Sequence, residues 1–437
     1  MYIPSGIAEL HLHLYGCFTP EDLYQRGCEL RGEIPRWDWF QQEYTAACGK
    51  SPTHYWTHPQ GQKKLAEEIL LHAPASFAQF QSRFNLSIAL FPALDPSTTR
   101  IALRRAESQG IAYGEFRMVI PPHFTEPQGK ELLTLLGETF LACTHATFTP
   151  KLLISLPGFS LSLTERHYRW IQETRITSPA LNQVLVGLDF CGDEESQPPL
   201  EKEAFFRQLH EDNHASSRSL LACYHVGECF SQIGMDNSIR RIWQTHSLGV
   251  HRLSHASALG IPPAAMAHLP IQETATERSQ HLRFLLEEYE WLHGAGMEYD
   301  LDAAQKELHV LEAQSHRTPN IHLPSVQELE NTQCLQQAIL RKLREAEACI
   351  ESCPRSNFIL SGIENLTDHP LRELAKSGIR LVIASDDPGI FDTSYIEEEA
   401  FCRNELGLSE DTLQRFREEA QHQRIPTCNG VTSVKLK

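Results

Sequence analysis

Apolar residues fall in blocks along this chain. Eight short runs stand out: IAELHLHL (7–14), IAYGEFRMVI (111–120), PKLLISLPGF (150–159), VLVGLDFCG (184–192), SLLACYHVGE (219–228), LGVHRLSHA (248–256), ACIESCPRSN (348–357) and IRLVIASDDP (379–388). Several are apolar almost throughout, the pattern of strands covered on both faces. Between most of them lies enough chain for a helix. Strands alternating with helices predict a parallel sheet, and eight such units predict an α/β chain closed into a (β/α)8, TIM-type barrel.

Two gaps are too long for simple crossovers. Residues 15–110 contain Trp37, Trp39, Tyr44, Tyr55 and Trp56 among many prolines and charges, and read as a helical cap over the barrel mouth after the first strand. Residues 260–347 contain three candidate helices, 273–292, 302–315 and 325–347, separated by the turn signals HGAG and RTPN. An insertion after the sixth strand lies at the active-site end of a barrel, as a lid, an oligomer interface or both. Apolar stripes on a surface hairpin need something to bury against, which favours a homo-oligomer. The tail HQRIPTCNGVTSVKLK reads as a loop or as disordered chain. The chain, 1–437, is therefore expected to be one barrel domain with two insertions.

The hydrophobic fraction of 41% and charged fraction of 22% are those of a globular chain with a core. A net charge of −17 argues against a nucleic acid polymer or an anionic membrane as partner, while a few local cations can still hold a small anion. The start, MYIPSGIAEL, lacks a basic segment followed by an apolar one, and no apolar run is long enough to span a bilayer. Twelve scattered cysteines, with no C-x-x-C pair, read as reduced thiols of a cytoplasmic protein.

The polar residues at the strand ends change the picture. His11 and His13, two apart on one strand, point to the same face. The fifth run ends in His225 and Glu228, the sixth in His255, the eighth in Asp386 and Asp387. In a barrel these ends converge on one mouth, so residues far apart in sequence meet there. Three imidazoles and a carboxylate suit Zn²⁺, which lowers the pKa of a bound water to near neutral. Glu228 is placed to shuttle a proton, and His255 to orient the attacking hydroxide. Each piece alone has a bland reading: a structural His-x-His, an acidic first helical turn, a proline-broken turn, a core histidine. The ordered set is harder to explain that way.

The set resembles the adenosine deaminase family of the amidohydrolase superfamily. The resemblance rests on ELHLHLYG, GLDFCGDE, HVGE, HRLSHA, CPRSN and HPLRELAKSGIRLVIASDDPGIF, which cover most of the barrel. It implies one zinc ion per chain bound by His11, His13, His225 and Asp386. It also implies that Glu228 protonates purine N1, His255 holds the attacking hydroxide, Asp387 bonds N7, and the Gly192 backbone N–H bonds N3. The implied reaction is hydrolytic deamination of a free adenine nucleoside or nucleotide, releasing ammonia. The H-x-E and P-C-x-x-C fingerprint of the nucleic-acid deaminases is absent.

Three features depart from the family. Where adenosine-specific members carry an aspartate for the ribose 5′-hydroxyl, this chain has Tyr15, which can donate to phosphate without repelling it. That favours a 5′-monophosphate such as AMP or dAMP, with cations drawn from Arg26, Arg31, Arg36, Lys50, Lys63 and Lys64. The alternative is adenosine or deoxyadenosine, with Tyr15 merely closing the barrel mouth. Ser254 and Ala256 replace glycines beside His255, and the 260–347 insertion is atypical. Two rival readings remain. One is a binuclear amidohydrolase, which the lysine-free fourth strand disfavours. The other is a nucleotide-binding sensor or scaffold in a defence-type assembly, which the complete set of ligands disfavours.

Overall fold

The structure, a computed structural model, describes residues 6–194, 198–230, 233–313 and 320–424. Its frame is a sheet of eight parallel strands: β1 (Ile7–His13), β2 (Ile111–Val119), β3 (Thr149–Leu156), β4 (Leu185–Phe190), β5 (Leu221–Val226), β6 (Arg252–His255), β7 (Cys349–Ser352) and β8 (Arg380–Ile383). Neighbours in the sheet follow chain order. All eight apolar runs supply a strand, and the strands are buried almost throughout, as strands covered on both faces must be.

The barrel closes where β8 meets β1. The His13 N–H donates to the Asp386 carbonyl at 3.0 Å, and the Asp386 N–H donates to the His11 carbonyl at 3.1 Å. The seam therefore lies at three of the residues singled out for chemistry. The register carries the rest to the same level: His225 lies beside Ser254, Val226 beside His255, and Ser254 beside Glu351.

Between β1 and β2 run five helices, Pro20–Glu29, Trp37–Cys48, Gly61–Ile69, Phe77–Leu90 and Pro96–Ser108. Their starts are written locally. Thr19 and Asp22 form a capping box with Pro20 at the first helical position, and Ser76 and Gln79 form another. After β6, helices occupy Ala275–Glu287, Tyr289–Gly294, Leu301–Ala313 and Val326–Glu345. The last acts as the barrel's own crossover: Gln336 donates to the carbonyls of Ala258 and Ile261, each at 2.7 Å. An antiparallel ribbon, Ile271–Glu273 with Asn320–His322, ties the insertion together. Helix Ala275–Glu287 is anchored by Glu277, which is buried and accepts from Arg240 at 2.5 Å and Arg241 at 2.6 Å. Residues 314–315 of the second expected helix, and the tail from 425, lie outside the described residues.

Among the described residues all eleven cysteines are free thiols, and no helix is long and apolar enough to cross a membrane.

Candidate active site

The mouth of the barrel gathers the predicted ligands. His11, His13, His225 and Asp386 each offer one donor atom, and these atoms all lie within 4.8 Å of one another. The His13 and His225 Nε2 atoms are 3.2 Å apart, and Asp386 Oδ1 is 3.2 Å from His11 Nε2 and 3.3 Å from His13 Nε2. Donors on a tetrahedral metal at about 2.0–2.1 Å are spaced about 3.3–3.4 Å apart, so the set fits a small divalent ion. Two of these histidines are fixed from behind. His11 Nδ1 donates to Glu351 Oε2 at 2.9 Å, and His225 Nδ1 donates to Asp189 Oδ1 and the Phe190 carbonyl at 3.1 Å each. Each Nε2 is thereby left with a lone pair facing the centre. His11 Nε2 has no hydrogen-bond partner among the described residues, as a metal ligand requires. Cys353 forms a second grouping with His11, His255 and Asp386, but burial pushes its thiol well up and keeps it protonated.

Beneath the centre lies a buried ionic bed. Glu351 accepts from Arg117 Nη2 at 2.5 Å, faces Arg252 Nε at 2.9 Å and accepts from Ser254 Oγ at 2.8 Å. Arg117 also donates to the Leu10 carbonyl at 2.9 Å, and Arg252 pairs with Glu115. The two guanidinium groups hold the Glu351 carboxyl well below its ordinary range despite complete burial. A permanently charged carboxylate behind His11 fixes the imidazole tautomer.

The groups assigned to proton handling have the opposite electrostatics. Glu228 is buried, and burial together with the Asp386 and Glu194 charges raises its carboxyl well above the usual range. Burial and the Asp386 and Glu228 charges do the same to Asp387. Both shifts favour the protonated, hydrogen-donating form. Asp387 Oδ1 has no partner among the described residues. His255 is kept neutral by burial. Asn357 sets its tautomer: Asn357 Oδ1 accepts from the Cys353 N–H at 3.1 Å, so its amide N–H donates to His255 Nδ1 at 2.9 Å. The proton of His255 then sits on Nε2, which has no partner among the described residues. Gly192 follows β4 with φ +106, a conformation that suits glycine.

Several supporting residues escaped the sequence reading. Glu351, Arg117, Arg252 and Asn357 lie on inward-facing positions that look like ordinary strand or helix polar residues. Ser254, read as a departure from a glycine, is the hydroxyl that bonds Glu351. Ala256 takes φ +48 and His255 φ +65, so this turn adopts the left-handed region with side chains on it. Gly16 is required by contact, since a Cβ there would fall 1.8 Å from Asp387 Oδ1. We expect Gly16→Ala to displace Asp387, lowering stability by about 1–3 kcal/mol and turnover with it. Thermal unfolding and kcat on the same sample check this.

Tyr15 is placed differently from the expectation that it faces a phosphate. It is buried against Phe18 and Phe84, and its hydroxyl donates to the Phe91 carbonyl at 3.0 Å. Of the cap cations, Arg26 turns to the Leu90 carbonyl and Glu29, and Lys63 and Lys64 face Glu67. Arg31 and Lys50 are exposed. Arg36 lies 4.0 Å over the Trp39 ring, and its charge reaches the Tyr15 phenol.

Residues 325–425 match the family model described as adenosine deaminase. An adenine deaminase of Agrobacterium fabrum is 35% identical over 79 residues, 18% of this chain and 24% of that protein. The match thus spans about a quarter of the length of that curated relative. Among solved structures, an adenine deaminase from Arthrobacter aurescens has a TM-score of 0.58 at 16% identity, covering 98% of this chain and 95% of its own. An N6-mAMP deaminase from Arabidopsis has a TM-score of 0.53 at 16% identity, covering 96% and 93%. These two are likenesses of fold, and both fit the eight-stranded barrel.

Proposed function

We propose, from the match of residues 325–425 to the adenosine deaminase family model, that the chain is a purine deaminase of that family, hydrolysing the 6-amino group of a free purine to give the 6-oxopurine and ammonia. One observation carries the reading. Four metal donors converge at the mouth, and beside them lie two buried carboxyls, Glu228 and Asp387, both raised above the usual carboxylate range by burial and neighbouring charges. Purine N1 and N7 are acceptors, so two protonated carboxyls are complementary to them. The Gly192 N–H is the third donor, toward N3.

His11, His13, His225 and Asp386 would hold the metal, which supplies a Lewis acid that ionises water near neutral pH. The chain's own groups do the rest. Glu228 gives its proton to N1, which lets the ring accept electron density at C6. His255, with its proton on Nε2, orients the attacking oxygen. Asp387 fixes the ring through N7. The proton of the C6 hydroxyl passes to the amino group as the C6–N bond breaks, so ammonia leaves and the 6-oxo group forms, and the proton released on ionisation of the water restores Glu228. Zinc suits the donor set, and one ion per chain suits its size.

The finer reading is a 5′-monophosphate such as AMP or dAMP. Its support is an uncharged Tyr15 whose phenol lies within the field of the Arg36 charge, and the nucleotide named for the Arabidopsis fold neighbour. The free base or a nucleoside is the second reading, favoured by the commitment of the Tyr15 hydroxyl to Phe91 and by the adenine deaminases among the relatives. A side-by-side assay of adenine, adenosine, deoxyadenosine, AMP and dAMP decides between them. If the monophosphate reading holds, Arg36→Ala weakens AMP by about tenfold or more in KM and leaves adenosine unchanged. Equal loss on both, or no turnover of AMP, removes it. Assembly through the 260–347 insertion is part of the same proposal, and sedimentation of the full chain tests it.

A further inference from the structure

A cavity of about 570 Å³ lies between the insertion and the segment that follows Glu228. That is the size of a small-molecule site. None of the candidate active-site residues lines it. Its walls alternate apolar and acidic surface. Phe230, Met266, Leu311 and Leu329 supply the apolar part, and Asp236, Glu273, Glu307 and Glu328 face a single arginine, Arg278, across it.

These carboxylates are unequally satisfied. Arg278 is committed to Glu307, with Nε at 2.9 Å and Nη2 at 2.8 Å. Glu328 caps the helix after Ser325 and pairs with His322 at 3.0 Å. Asp236 accepts from the Thr332 hydroxyl and has no cation within salt-bridge reach among the described residues. Glu273 accepts from Asn237 at 2.8 Å and pairs loosely with Arg278, whose Nε lies 3.9 Å from Oε2. Burial and the Glu273 and Glu328 charges push Asp236 up to about 6, and burial raises Glu273 against the Arg278 and Arg240 charges. A second feature points the same way. His281 lines the cavity at 5% exposure, its Nδ1 has no hydrogen-bond partner among the described residues, and burial keeps the ring neutral. A neutral imidazole always offers one acceptor nitrogen. The cavity is thus rich in acceptors and poor in donors.

We propose that this cavity is a second ligand site, separate from the metal-binding centre, for a small aliphatic di- or polyamine. Its ammonium groups meet Asp236 and Glu273, His281 accepts a further N–H, and its methylene chain lies along the apolar wall.

Calorimetric titration of the full, zinc-loaded chain with spermidine, and in parallel with putrescine, tests this at constant ionic strength. The expected result is saturable binding of one spermidine per chain. Glu273→Gln, on the half-buried ribbon, is expected to weaken that binding at least tenfold while circular dichroism and metal content stay unchanged. His281→Leu, which removes an acceptor without altering charge, is expected to weaken it by a smaller factor. Absence of saturable binding to the wild-type chain overturns the proposal. So does binding that both variants leave intact, since that is diffuse attraction to a chain of net charge −17. The readout is independent of turnover, so this site and the deaminase reading stand or fall separately.

Discussion

Replacing Glu228 with glutamine is expected to lower kcat by about 10²–10⁴-fold, the usual contribution of a positioned general acid. The amide keeps the volume and accepts the Ser356 hydroxyl as the carboxyl does at 3.2 Å, but it has no proton to transfer to N1. Metal content should stay unchanged, because Glu228 is not among the four donors that converge on the centre. Stability should hold or rise slightly, since the substitution removes a carboxyl that burial and two neighbouring charges disfavour. Single-turnover ammonia release, metal analysis and thermal unfolding on one preparation separate these effects. Retained kcat, or loss of kcat together with loss of metal, contradicts the assigned role.

The second large effect is expected at Glu351, which touches no substrate. Glu351→Ala leaves Arg117 and Arg252 buried without their shared partner. Breaking a buried ion pair by removing one member typically costs about 3–5 kcal/mol. The same change removes the acceptor for His11 Nδ1, and loss of such a support behind a metal ligand weakens metal binding by about 10–100-fold. Glu351→Gln is the milder probe. It keeps a hydrogen-bonding oxygen for His11 and loses the charge that the two arginines require. A denaturant midpoint and a zinc competition titration with a chromophoric chelator read the two consequences. Destabilisation without a change in zinc affinity would show that Glu351 serves the barrel and not the metal.

What was legible in the sequence follows from where the information sits. The eight strands were readable because each is a contiguous apolar run. The site was readable because His11, His13, His225, Glu228, His255, Asp386 and Asp387 stand at strand ends, where barrel topology alone makes them meet. The supporting bed was not readable. Glu351 reaches His11 across 340 positions and Arg117 across 234, and no local pattern marks such a pairing. The ribbon of Ile271–Glu273 with Asn320–His322 is too short to show a period. Tyr15 shows the limit of position-by-position reasoning. Its chemistry suits a phosphate, yet the fold offers its hydroxyl a backbone carbonyl at Phe91. Ser254 shows the converse: what looked like a crowding substitution beside His255 satisfies the carboxylate that holds His11 in place.

The measurement that bears most directly on the central claim is a zinc titration of metal-stripped protein, following ammonia release from adenine, adenosine and AMP. One metal centre built from His11, His13, His225 and Asp386 predicts no turnover in the stripped protein. Activity should then rise linearly and level off at one zinc per chain, on at least one of the three substrates. No ammonia at any zinc level, or a plateau at two ions per chain, would contradict a mononuclear purine deaminase.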